Sequence, residues 1–160
     1  KKYIDVEAEM EDIRSRLEEL RQELVELTDR DAEAFEPLAK AYGLPKETEE
    51  QRSEKERVME KALYEASVVP LQIMKTVFQV MEDLEALGEK GSRLAVSDVG
   101  VAVLFARAAL EGASLNIYIN TRLMKNREQA ERLNKESDEL IAEAGRLQEK
   151  IYTGVLAKIR

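Results

Sequence analysis

The chain contains no cysteine, no histidine and no tryptophan. Without cysteine it can form neither a disulfide nor a thiolate nucleophile, and without histidine it has no imidazole base. Together these absences remove the donors of the usual soft and borderline metal sites. Any proton transfer must therefore fall to Asp, Glu, Lys or Tyr. Proline (3) and glycine (7) are scarce among 160 residues and aromatics make up 5%, so the chain has few turn formers and little of what strands prefer. No run approaches the roughly 18 apolar residues of a membrane-spanning helix. No signal-peptide pattern is read ahead of the first helical segment, and the cytoplasm is the expected location.

What is present is 44% hydrophobic and 36% charged, the profile of a helical protein, in a length that suits one domain over residues 1–160. Acidic residues outnumber basic ones by 33 to 25, a formal net charge of -8. General attraction to nucleic acid or to an anionic membrane is not expected from that balance.

Apolar residues recur with helical spacing through four long segments. The first runs from about residue 3 to about 41 and ends at "AYGLPKE", where Gly43 suits a cap and Pro45 blocks continuation; Pro37 should kink its last turns. The second opens on a capping box in "TEEQ", Thr48 to Gln51, and carries an apolar stripe of Met59, Ala62, Ala66, Val69, Ile73, Val77, Val80, Leu84 and Leu87. Pro70 interrupts it, which predicts two helices in near line or one kinked helix. The third, about 95 to 124, has no charge between Asp98 and Arg107 and is rich in small residues, so it is either central or packed closely on a partner. The fourth, about 127 to 158, is amphipathic through Leu133, Leu140, Ala144, Leu147, Ile151 and Val155. The expected fold is all-α, a bundle of long antiparallel helices, some kinked at proline.

Two departures from this pattern carry candidate chemistry. On the first segment the stripe Ile13, Leu17, Leu20, Leu24, Leu27 continues through Asp31 to Phe35 and Leu38, so a carboxylate stands where a leucine is expected. Burial would raise its pKa toward that of a useful acid or base, whereas a stripe twisting away near Pro37 would leave it in solvent. On the third segment, Asp98, Ala102, Phe105, Ala109, Asn116 and Asn120 follow one another at helical steps, with polar groups at both ends of a small-residue face. Asn116 and Asn120 can read the polar edge of a heterocycle or tie helix ends together; Ser97 and Asp98 also suit a helix start. A di-metal site of the bundle type needs Glu-x-x-His pairs, which a chain without histidine cannot supply.

Five stretches together resemble the formiminotetrahydrofolate cyclodeaminase and methenyltetrahydrofolate cyclohydrolase family: "DAEAF" at Asp31 to Phe35, "LPKET" at Leu44 to Thr48, "ALYEASVVPL" at Ala62 to Leu71, "SDVGVAV" at Ser97 to Val103 and "LNIYIN" at Leu115 to Asn120. The resemblance covers about residues 1 to 125. It implies a dimeric, cytoplasmic, all-helical enzyme that handles one-carbon units on tetrahydrofolate, with no metal and no bound cofactor beyond the folate substrate. It also implies that Asp31 is the acid-base catalyst. Ser97, Asp98, Asn116 and Asn120 match positions of the folate pocket or its supporting shell. The sequence departs from the family in carrying no glycine-rich stretch and small-residue helix ahead of "KKY", in Gly91-Ser92 where Gly-Asn is frequent, and in "TRLMKN" after the "IN" segment. The competing class is a non-enzymatic helical interaction protein in which Asp31 and the two asparagines only set packing register.

Overall fold

The computed structural model describes residues 6–160. Among the described residues it has four long helices, α1 (Glu7–Tyr42), α2 (Glu49–Lys90), α3 (Val96–Thr121) and α4 (Arg127–Ile159), and a 3-10 turn at Arg93–Ala95 leads into α3. The expected start of the first helix near residue 3 lies outside the described residues. Among the described residues no helix is long and apolar enough to cross a membrane.

The ends of the helices follow from local chemistry. Thr48 accepts from the Gln51 N–H while the Gln51 side chain accepts from the Thr48 N–H, so both arms of the capping box form. Asn126 caps α4 by accepting from the Gln129 N–H at 3.1 Å. At the end of α1, Gly43 closes the last turn without a left-handed conformation, and Lys55 Nζ donates to the carbonyls of Tyr42 and Leu44 at 2.7 and 2.8 Å. A cation thus satisfies the Tyr42 carbonyl that the helix leaves free and the Leu44 carbonyl just beyond it. Neither Pro37 nor Pro70 breaks its helix.

The stripe of α1 is buried at Ile13, Leu27, Leu38 and Ala41. Phe35, expected on that stripe, is 54% exposed; Ala34 takes its place, because the alternation of four and three continues from Asp31 to 34 and then to Leu38. Helix α2 is the one that α1, α3 and α4 all pack against, whereas α1 makes its packing on α2 rather than on α3 or α4. Helix α2 therefore buries more than one stripe. Leu63, Leu71, Met74 and Met81 join the predicted positions in a core shared with Val103, Leu110 and Ile117 of α3 and Ala144, Ile151 and Val155 of α4. The central helix is thus α2. Helix α3 keeps one apolar side uncovered, with Val101, Phe105, Leu115 and Ile119 exposed.

Candidate active site

Three side-chain contacts fix how α1 lies on α2. Lys90 Nζ donates to Glu9, Arg16 donates to Asp83 at 2.5 Å, and Thr76 Oγ1 donates to Glu23 at 3.2 Å. In each pair the residue numbers add to 99, the mark of an antiparallel register, so Asp31 lies across from Val68. Two contacts fix α3 in the same way. Asn120 Nδ2 donates to the Ala66 carbonyl at 3.1 Å, and a Cβ on Gly88 would meet Val99 at 3.4 Å. Asp31, Ala66 and Asn120 therefore stand at one level of the bundle.

Helical spacing shows which sides face one another. On α2, Thr76, Asp83 and Lys90, seven apart, carry the contacts to α1. The next line, Ala66, Ile73, Val80 and Leu87, lies between α1 and α3, with Ile73, Val80 and Leu87 only half-buried. On α1, Leu20 and Ala34 border hollows on the outer side, the second of them shared with Tyr64, Glu65 and Val68 of α2. The line Leu17, Leu24, Asp31 and Leu38 faces the other way, and both Leu24 and Leu38 pack onto the core. On α3, Gly100 and Arg107 meet α4 while Val99 and Asn120 meet α2, so Ala102, Ala109 and Asn116 form the edge turned toward α1. The result is an apolar trough floored by α2, with Asp31 on one wall and Asn116 and Asn120 on the other.

Within the trough the chemistry is sparse and directional. Asp31 is half-buried, and among the described residues no side chain or backbone group hydrogen-bonds or ion-pairs with it. Desolvation alone raises its pKa above the ordinary carboxylate value of 3.8. Tyr118 lies outside the trough, on the side of α3 that meets α4, where burial and its bond to Asp138 push its phenol up to about 12 and keep it protonated at neutral pH. Asp31 is thus a carboxylate with a raised proton affinity and free lone pairs at the edge of an apolar seam, the arrangement that lets one group both take and return a proton.

The five sequence-predicted residues separate into two groups. Asp31, Asn116 and Asn120 lie at one end of the bundle, within about one helical turn of the same level. Asn120 is buried and committed through its amide nitrogen to the Ala66 carbonyl, while Asn116 is exposed with no protein partner among the described residues. Ser97 and Asp98 are exposed at the opposite end of α3, level with Gly88 and Glu89 of α2. That level lies about 20 residues along α2 from the level of Asp31, or about 30 Å at 1.5 Å per residue. The structure of one chain does not bring these two groups into one pocket. Sequence reasoning missed the floor of the trough as a feature of the site, since Ala66, Ile73 and Val80 read only as core.

An all-helical bundle with one unpartnered acid on an apolar trough, and amide side chains opposite, is the frame of a small-molecule enzyme without thiol, imidazole or bundle-type di-metal chemistry. The sequence profile of the formiminotransferase-cyclodeaminase family matches residues 1–139, and the chain belongs to that family. It is 40% identical over 159 residues to a methenyltetrahydrofolate cyclohydrolase of Methylorubrum extorquens, which covers 99% of this chain and 76% of the relative. It is 32% identical over 116 residues to the formimidoyltransferase-cyclodeaminase of Mus musculus, covering 72% of this chain and 21% of that much longer protein. The crystal structure of formiminotetrahydrofolate cyclodeaminase from Thermotoga maritima superposes with a TM-score of 0.74 at 31% identity, over 98% of this chain and 72% of the other.

Proposed function

We propose that this chain is a folate one-carbon enzyme that works on the carbon bridging N5 and N10 of tetrahydrofolate, with Asp31 as its acid-base group. Two reactions fit. In the cyclohydrolase reaction water adds to the methenyl carbon of 5,10-methenyltetrahydrofolate and the ring opens to 10-formyltetrahydrofolate with release of a proton. In the cyclodeaminase reaction N10 attacks the formimino carbon of 5-formiminotetrahydrofolate, and ammonia leaves as the 5,10-methenyl product forms. The likeness to the bacterial cyclohydrolase, over nearly the whole chain, favours hydrolysis; the superposed cyclodeaminase favours deamination.

The observation that carries the assignment is Asp31 itself, the one carboxylate on the inner line of α1, half-buried, unpartnered and raised in pKa by desolvation. Each reaction removes one proton and delivers one around a tetrahedral carbon, which a single carboxylate of raised proton affinity can do in sequence. Asn116 has its amide free for the donor and acceptor edge of the pterin. Asn120 belongs to the supporting shell, holding the floor of the trough. The protein acts as one helical unit in the cytoplasm, as a homodimer, on a folate substrate and without metal or further cofactor.

The test is a side-by-side assay of the purified protein with the two folates, together with a thermal-shift titration with a stable tetrahydrofolate analogue. Turnover of either folate is expected, as is stabilisation by about 2.7 kcal/mol at a hundred times Kd. Absence of both turnover and stabilisation would reject the folate reading in favour of a helical interaction protein.

A further inference from the structure

The floor line of the trough does not stop at Ala66. Steps of seven through Leu87, Val80, Ile73 and Ala66 continue to Met59 and Arg52, and both of these border a hollow of about 290 Å³ near the start of α2. Helix α3 ends at Thr121 and α4 begins at Arg127, so the wall that carries Asn116 and Asn120 ends where the hollow begins. Glu60 holds the turn between them, accepting from the N–H groups of Lys125 and Asn126 at 2.7 and 2.8 Å. The trough thus opens into a basin with Met59, Leu63 and Leu123 as its apolar floor.

The rim of this basin is basic, in a chain whose net charge is -8. Lys46, Arg52, Lys55 and Lys125 border it against two acids, Glu56 and Glu60. Lys55 and Glu60 are taken up in holding the turns at either side. The other three cations can turn to a ligand. Lys46 pairs with no acid among the described residues, while Arg52 with Glu49 and Lys125 with Glu56 are surface pairs in which every side chain is more than half exposed. Such pairs contribute little to stability and can be exchanged for another carboxylate. Separated cations around an apolar floor suit a ligand whose carboxylates are spaced along a chain with short hydrocarbon links.

We infer that this basin binds the glutamyl tail of the folate, Lys125 taking the first glutamate and Lys46 with Arg52 taking glutamates added beyond it, so that tail length sets affinity. This rests on the folate reading above and adds the direction in which the substrate lies. Lys125, bonded through its N–H to Glu60, stands eight residues along α2 from the level of Asp31 at Val68, or about 12 Å, and Arg52 stands sixteen residues away, or about 24 Å. By summed bond lengths, the first glutamate carboxylates of a tetrahydrofolate lie about 10 Å from the carbon between N5 and N10, and each further γ-linked glutamate adds about 5 Å. With the reacting carbon at Asp31, the first glutamate reaches Lys125 and the third reaches Arg52 and Lys46. Asn116 lies past the Asp31 level in the opposite direction, which is where the pterin then falls.

The test uses the purified full chain and the folate that it turns over, carrying either one glutamate or three. For the wild type at low ionic strength, KM for the triglutamate is expected at least about tenfold below that for the monoglutamate, and added KCl should narrow the difference. Lys46→Gln combined with Arg52→Gln should bring the triglutamate KM up toward the monoglutamate value, with the loss in KM rather than in kcat. Arg14→Gln combined with Lys150→Gln removes the same charge from exposed positions at the other end of the bundle and should leave the preference intact. A preference that survives in the Lys46 and Arg52 variant, or one lost equally in the Arg14 and Lys150 variant, overturns the proposal. Turnover of both tail lengths with equal KM overturns the tail site and leaves the folate reading standing. Turnover of neither folate at either length rejects that reading and the tail site with it.

Discussion

The side-chain amide of Asn120 donates to the carbonyl of Ala66 at 3.1 Å, and that carbonyl is the one Pro70 leaves without a helical donor. In an uninterrupted helix the N–H of residue 70 would bond back to residue 66; proline has none. Asn120, from the neighbouring helix, supplies the missing proton, so α2 runs through a buried proline unbroken. The contact ties the floor of the trough to its wall at the level of Asp31.

Replacing Asn120 with Leu should strand a buried carbonyl and cost about 1–3 kcal/mol in urea denaturation. Pro70→Ala restores the helical donor, so Asn120→Leu should cost less in that background. The double-mutant cycle should give a coupling of about 0.5–3 kcal/mol between two residues that are not themselves bonded. Additive effects would mean that the proline does not create the need for Asn120.

Asp31→Asn keeps the shape of the side chain and removes its capacity to hold a proton. Turnover should fall by about 10²- to 10⁴-fold, the range associated with loss of a general acid-base group. Stability at neutral pH should move the other way. Asp31 binds its proton more tightly in the folded protein than in the unfolded chain, so its ionised form opposes folding once the pH exceeds 3.8. The variant should therefore melt at a higher temperature than wild type at pH 7, and the two should converge as the pH is lowered through the folded pKa toward 3.8.

The same shift fixes the acid side of the rate profile. A base must be ionised to act, and desolvation raises the Asp31 pKa, so kcat should begin to fall at a pH above that expected of an ordinary carboxylate at 3.8. The limb should be missing from the residual activity of Asp31→Asn. A limb of unchanged position in that variant would assign the proton transfer to another group.

Much of this frame is written in the sequence because helical period and capping are local. Ile13, Leu27 and Leu38 are buried where a spacing of four and three puts them, and Thr48 with Gln51 forms the box that their separation of three allows. What depends on neighbours is not legible in that way. Leu63, Met74 and Met81 lie off the predicted stripe of α2 and are nonetheless buried, because three helices pack on α2 and no single-stripe rule describes such a helix. Phe35 and Ala34 differ by one helical step, and only the line of contact with α2 decides which of them is half-buried. The candidate site divides along the same boundary. Asp31 stands out as an acid among leucines, whereas the distance from Asp98 to Asn116 along the bundle becomes a constraint only once the register of α2 and α3 is known.

Asn116 and Asn120 are one turn apart on α3, carry the same functional group, and should behave oppositely under substitution. The Asn120 amide is buried on a backbone carbonyl, so its loss should appear first as instability. Asn116 is exposed with no protein partner among the described residues, so Asn116→Ala should change unfolding free energy by less than about 0.5 kcal/mol. If its amide bonds the pterin edge in ground and transition states alike, KM should rise between about two- and tenfold while kcat stays near the wild-type value. Steady-state kinetics beside urea melts of the two variants separates these effects. A native KM in Asn116→Ala would remove Asn116 from the pocket and leave Asp31 facing a wall whose only polar group is structural.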